Sequence, residues 1–160
     1  MKSAVEPDRH CACSRRACPQ LESLTGLDLS SSKILSNQAR DFPSRVVFEC
    51  ANALNWIPAH SQTHTIFLTI DGVFEYFSEA ELKTLFSAIA KRAPAMIALI
   101  EPIPVDYDFD QEQASRPYNE ERSLGHHYPS LLSAAGFTVT WQTEVVDDLR
   151  WCLITAVKPA

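Results

Sequence analysis

Four runs dominated by apolar residues, 23–28 (SLTGLD), 45–50 (RVVFEC), 64–70 (HTIFLTI) and 95–101 (AMIALIE), alternate with segments whose apolar positions recur at helical spacing. Continuous apolar runs of this kind predict parallel strands covered on both faces. Over 79–92, Leu82, Leu85, Phe86, Ile89 and Ala90 make one helical face, Ser78 with Glu81 has capping-box form, and Pro94 ends the segment. A second helix is predicted from near Tyr128, with Pro129 in its first turn, Leu131, Leu132 and Ala135 facing inward and Gly136 as the stop. A third, weaker, follows Ser30. At the end the alternation changes. The runs 137–145 (FTVTWQTEV) and 150–157 (RWCLITAV) are separated only by Val146, Asp147, Asp148 and Leu149, which predicts an antiparallel hairpin. The expected architecture is a single α/β domain over 1–160, a mostly parallel sheet flanked by helices and finished by that hairpin. The polar stretch 104–124 has no periodicity and is expected to be a lid-like loop.

Composition narrows the class. Hydrophobic residues at 46% and charged residues at 21% are globular proportions. No apolar run reaches the roughly 18 to 20 residues needed to span a bilayer, and Met1–Gln20 has no apolar stretch after its basic residues, so neither membrane nor secretory signal is expected and a cytoplasmic setting follows. A formal net charge of -6 weighs against nucleic acid as the main partner. The cysteines at 11, 13, 18, 50 and 152 include no C-x-x-C pair, so neither a disulfide framework nor a metal site is indicated, and Cys50 and Cys152 are expected as small core residues. The only glycines are Gly26, Gly72, Gly125 and Gly136, and no G-x-G occurs. A glycine-rich phosphate loop is absent.

Ligands of open parallel sheets bind beyond the carboxyl ends of the strands, so the residues closing each apolar run are the candidates for chemistry. They are Asp28, Asn52, Asp71 and Glu101. A carboxylate at Asp28 can accept both hydroxyls of a ribose, or cap the following helix. Asn52 can meet an adenine edge, or shape a turn. Glu101 either faces the same crevice or orients loop backbone. His126, His127 and Tyr128 open a helix after the polar stretch, where a base or substrate contact competes with capping and packing. Phe74, Tyr76 and Phe77 can wall a substrate pocket or belong to the core.

The ordered set GLDLS, FECANAL, TIFLTIDGVFEYFSEAELKTLFSAI, AMIALIEP, HHYPSLLSAAGFTV and RWCLITAVK resembles the class I, Rossmann-like S-adenosylmethionine-dependent methyltransferases over about 20–158. The resemblance implies S-adenosyl-L-methionine as cofactor and a small-molecule methyl acceptor. It places Asp28, with Leu29 beside it, at the ribose, Ala51, Asn52 and Ala53 around the adenine with Leu54 against its face, and Asp71 after the fourth strand. Glu6 matches the acid that closes the first strand, and His126, His127 and Tyr128 are the candidate catalytic residues by their place after the polar stretch, at the opening of a helix beyond the fifth strand. Many relatives carry an acid where Asn52 stands. Residues 4–6 match the tail of the first strand and 9–18 the helix after it, but Pro7 and Asp8 occupy the place of the glycines, so the first strand and glycine loop are degenerate. This departure implies weakened cofactor binding and a sheet exposed around Ile66–Ile70, open to a second copy or a partner subunit. The alternative is a non-catalytic module that associates with a complete subunit. A nicotinamide oxidoreductase would share the acid at Asp28 but also needs the glycine turn.

Overall fold

The structure is a computed structural model that describes residues 21–146 and 150–160. The chain forms two compact units, one ending at Ala53 and the other running from Leu54 to Ala160. The first strand around Lys2–Glu6, including Glu6, the Pro7–Asp8 turn and the helix at 9–18 lie outside the described residues.

In the first unit β1 (Leu24–Asp28) and β2 (Val46–Cys50) pair in parallel, with Leu24 opposite Val46 and Asp28 opposite Cys50. Gly26 stands opposite Phe48 and has a reason to be glycine, since a Cβ there would lie 2.7 Å from the Phe48 ring. Between the strands, α1 (Ser31–Gln38) is capped by Ser30, whose Oγ accepts the Lys33 amide, and buries Ile34. Gln38 Nε2 donates to the Phe48 carbonyl at 2.8 Å, tying the helix end to β2. The alternation of β2 turns Cys50 outward. Expected in the core, it is exposed and donates its thiol to the Leu29 carbonyl at 3.4 Å, whereas Cys152 is fully buried.

The second unit contains β3 (Thr65–Ile70), β4 (Ala95–Ile103), β8 (Arg150–Lys158) and β7 (Thr138–Val146), in that order across one sheet. β3 and β4 are parallel, and β8 runs antiparallel to both β4 and β7. Three of these strands therefore share a direction and β8 alone is reversed, as the short 146–149 connection requires. The inward positions of β4 and β8 meet in register, Ile97 with Ala156, Leu99 with Ile154 and Glu101 with Cys152. α3 (Glu79–Ala90) buries Leu82, Leu85, Phe86 and Ile89, the predicted face. Its capping box is complete, with Ser78 Oγ accepting the Glu81 amide at 3.3 Å and the Glu81 carboxylate accepting the Ser78 amide at 2.7 Å. α4 (Tyr128–Ala134) ends before Gly136, which takes φ 84°.

Two elements had no periodic signal. α2 (Ala53–His60) is one short helix interrupted by Pro58 with only Ile57 fully inward, too brief for a helical stripe to show. Inside the polar stretch expected as a lid-like loop, β5 (Arg116–Tyr118) and β6 (Ser123–Gly125) form an antiparallel ladder. Three residues per strand are too few for alternation to be read, and the ladder is fastened by side chains from distant elements. Ile66 and Leu68 on β3 are 54% and 59% exposed, and among the described residues β3 pairs only with β4. Among the described residues no helix is long and apolar enough to cross a membrane.

Candidate functional site

The carboxyl end of β1 presents Asp28. Its Oδ1 accepts the Ser30 amide at 2.8 Å in an Asx turn, and its Oδ2 lies 3.8 Å from Lys33 Nζ. Capping of α1 belongs to Ser30, so Asp28 shapes the turn with one oxygen and keeps the other only loosely engaged. The Ala51 amide donates to the Asp28 carbonyl at 3.1 Å, joining the ends of β1 and β2. Leu29 and Asn52 are exposed there, Ala51 is half-buried, and Ala53 opens α2. Leu54, half-buried, is the first residue of the second unit.

In the second unit the corresponding strand ends carry a denser arrangement. β3 leaves the sheet through Asp71 and Gly72, both in the left-handed region with φ 69° and 76°. At Gly72 only glycine fits, because a Cβ would run into the Glu75 carboxylate and lie 3.4 Å from Pro102. The Asp71 amide donates to the Ile100 carbonyl at 3.2 Å. The next two amides, of Val73 and Phe74, both donate to Oε2 of Glu101, at 2.9 and 2.8 Å. Glu101 is wholly buried at the end of β4, and that burial pushes its carboxyl up to about 7, against the pull of Thr69 and of these two amides and with a further push from Glu75. Thr69 faces it, yet neither the Thr69 hydroxyl nor Glu101 Oε1 completes a hydrogen bond of normal geometry.

A 3-10 turn (Phe74–Tyr76) follows. Phe74 packs edge-on against Phe77 and Phe86, with ring centroids 5.8 and 5.5 Å apart, and belongs to the core. Tyr76 is exposed and donates to Glu121 at 3.4 Å. Glu75 is buried and accepts the Tyr118 hydroxyl at 2.6 Å. Burial and the Glu75 carboxylate together push the Tyr118 phenol upward. Glu75 and Tyr118 are 43 residues apart, so no local pattern announced the pair.

The predicted catalytic trio is buried. His127 caps α4, its Nδ1 accepting the Ser130 amide at 3.0 Å, which leaves Nε2 to donate to the Phe109 carbonyl at 2.9 Å. His126 meets Ser115 Oγ through Nδ1 at 2.7 Å, and Ser115 meets Glu79 through its hydroxyl at 2.7 Å and its amide at 3.0 Å. Lys83 and Ser115 hold the Glu79 carboxyl down at about 2, so it only accepts, the serine hydroxyl donates to it, and His126 Nδ1 carries the proton toward Ser115. Burial lowers the imidazole pKa, opposed by the carbonyls of Phe74 and Phe77, and holds the ring neutral at pH 7. The Tyr128 hydroxyl is buried without a partner, and burial followed by the nearby Glu101 raises it well above its usual range. Among the described residues no cluster of metal-ligating side chains exists.

No protein-family model and no curated protein sequence matches the chain. Solved structures do. The 1,6-didemethyltoxoflavin-N1-methyltransferase of Burkholderia thailandensis, with bound 1,6-didemethyltoxoflavin and S-adenosylhomocysteine, matches with a TM-score of 0.63 at 19% identity, covering 85% of this chain and 61% of that one. The N-methyltransferase NodS of Bradyrhizobium japonicum gives 0.67 at 10% identity, over 93% of this chain and 80% of its own. A SAM-dependent methyltransferase of Methanosarcina mazei gives 0.58 at 17% identity, over 86% and 82%. The chain has the class I methyltransferase fold, with the strand order and terminal hairpin described above.

Proposed function

We propose that this chain binds S-adenosyl-L-methionine and transfers its methyl group to a small-molecule acceptor. The observation that carries the reading is the fold, shared with methyltransferases solved with S-adenosylhomocysteine, together with two strand-end turns suited to such a ligand. In the first unit Asp28 has a carboxylate oxygen engaged only by Lys33 at 3.8 Å, an acceptor free to take ribose hydroxyls. Ala51, Asn52 and Ala53 form a small turn that would lie along the adenine, beside Leu29. In the second unit Leu54 and the exposed Asp71 are the residues that the resemblance assigns to the cofactor. The cofactor supplies a methyl carried on a sulfonium, and the protein's part is to orient the acceptor in line with it. His126, His127 and Tyr128, being buried, would act in this reading by shaping the wall behind the acceptor. The expected affinity is weak, because Pro7 and Asp8 stand where the glycines of the family's cofactor loop would be.

Calorimetric titration with S-adenosylhomocysteine tests the proposal. The expected dissociation constant is weaker than about 1 μM. Asp28→Ala should cost a further 1.5 to 3 kcal/mol, roughly the value of a hydrogen bond to a charged group. Unchanged affinity in that variant would confine Asp28 to its Asx turn. The second reading, a non-catalytic module on a partner subunit, is favoured by the exposed Ile66 and Leu68 on a strand that, among the described residues, is paired along one edge. Absence of any binding together with a concentration-dependent increase in mass would select it.

A further inference from the structure

The Asp71–Phe74 turn cannot hold itself. Asp71 adopts a left-handed conformation that disfavours a non-glycine residue, and the backbone bonds at the two ends of the turn, from the Asp71 amide to Ile100 and from the Phe77 amide to the Phe74 carbonyl, leave the Val73 and Phe74 amides to other partners. Its two following amides both converge on one oxygen of a wholly buried side chain from the neighbouring strand. We infer that Glu101 is a positioning residue, which reaches from the end of β4 to hold the Asp71–Phe74 turn closed through the amides of Val73 and Phe74, and holds it most firmly when its own carboxyl is protonated. Where the turn meets a ligand, the inference rests on the methyltransferase reading, in which Asp71 is a cofactor contact.

Neutrality follows from the surroundings. In the neutral form Oε2 is a carbonyl that accepts both amides, Oε1 carries the proton, and no unpaired charge is left in the interior. The ionisable groups facing Glu101 are Glu75 from the 3-10 turn, Tyr118 from β5, Tyr128 from α4 and Cys152 from β8. Both phenols are pushed upward and the Cys152 thiol is pushed up to about 12, all chiefly by burial, so these three stay uncharged across neutral pH. Opening the turn hydrates the Glu101 carboxyl and returns it from about 7 toward 4.5. The closed turn therefore binds the proton more tightly than the open one, and raising the pH from about 4.5 to about 7 progressively loosens it.

Amide exchange of Val73 and Phe74, expressed as protection relative to Ile97 and Leu99, reads this directly in the whole chain. Wild-type protection should be flat below about pH 4.5, fall by up to about tenfold per pH unit between there and about 7, the limit for one proton, and level off above. Glu101→Gln, a neutral acid's permanent counterpart, should match wild type at low pH and keep its protection at high pH. Glu101→Leu should lose protection at every pH, and a Glu75→Gln control, which removes only the smaller push on Glu101, should keep a pH-dependent fall that ends at a lower pH than in wild type. Equal, pH-independent protection in wild type and Glu101→Gln overturns the proposal, even if the leucine variant does not fold. Titration with S-adenosylhomocysteine separates the two readings. Tighter binding by Glu101→Gln than by wild type at high pH, by about tenfold at one to two units above neutrality, is expected, and equal binding there would remove Glu101's effect on the ligand. If the amides behave as expected while neither protein binds at any pH, the positioning role stands and the methyltransferase reading falls.

Discussion

Asp28 and Glu101 each close a parallel strand with a carboxyl group, and their surroundings give them opposite chemistry. Asp28 makes its hydrogen bond two residues away in its own chain, stays partly in water and faces a lysine. Glu101 makes its bonds to amides 28 and 27 residues away, has no cation beside it among the described residues and is wholly buried. The first is available to a ligand and the second to the architecture. Strand-end position alone therefore does not make a carboxylate a ligand contact, because desolvation and the origin of its donors decide the role.

The largest expected effect tests the buried end. With the Glu101 carboxyl raised from 4.5 unfolded to about 7 folded, it contributes full stability below about pH 4.5, where both states are neutral, and that contribution is lost as pH rises through 7. Urea unfolding of wild type against Glu101→Gln should show the wild type losing about 3 kcal/mol relative to the variant between pH about 4.5 and 8. A constant difference would place Glu101 on the same footing as Asp28. Next, Tyr118→Phe leaves the buried Glu75 oxygen without its 2.6 Å donor. It should lower stability by about 1.5 to 3 kcal/mol, whereas Tyr76→Phe, at an exposed hydroxyl 3.4 Å from Glu121, should change it by less than about 0.5. Equal effects would show that the β5–β6 ladder is not fastened through Tyr118. The smallest effect belongs to the open end, where Asp28→Ala should cost about 0.5 to 1 kcal/mol by thermal unfolding, the value of one partly exposed hydrogen bond.

How the chain was readable varies with the range of the interaction. The long helix at 79–90 was legible because Ser78, Glu81 and the spaced leucines act within one turn of each other. The terminal hairpin was legible because its two apolar runs are adjacent. The strand-end residues could be named from the apolar runs that they close. Their roles could not. His127 caps its helix through the Ser130 amide and has its other ring nitrogen held by Phe109, 18 residues away, and His126 joins Ser115 and Glu79 across two other elements. Glu75 lay in view within VFEY without any sign that Tyr118 would cover it.

Local pattern thus settled where the longer strands and the long helix run and the hairpin that reverses β8, since each depends on residues a few positions apart. Tertiary structure decided which polar side chains are buried and with whom. The β5–β6 ladder inside a polar stretch, the outward Cys50 and the buried carboxyl of Glu101 all depend on contacts between segments distant in sequence. Burial and long-range hydrogen bonding set the charge state of a carboxyl, and neither is encoded by the residues beside it.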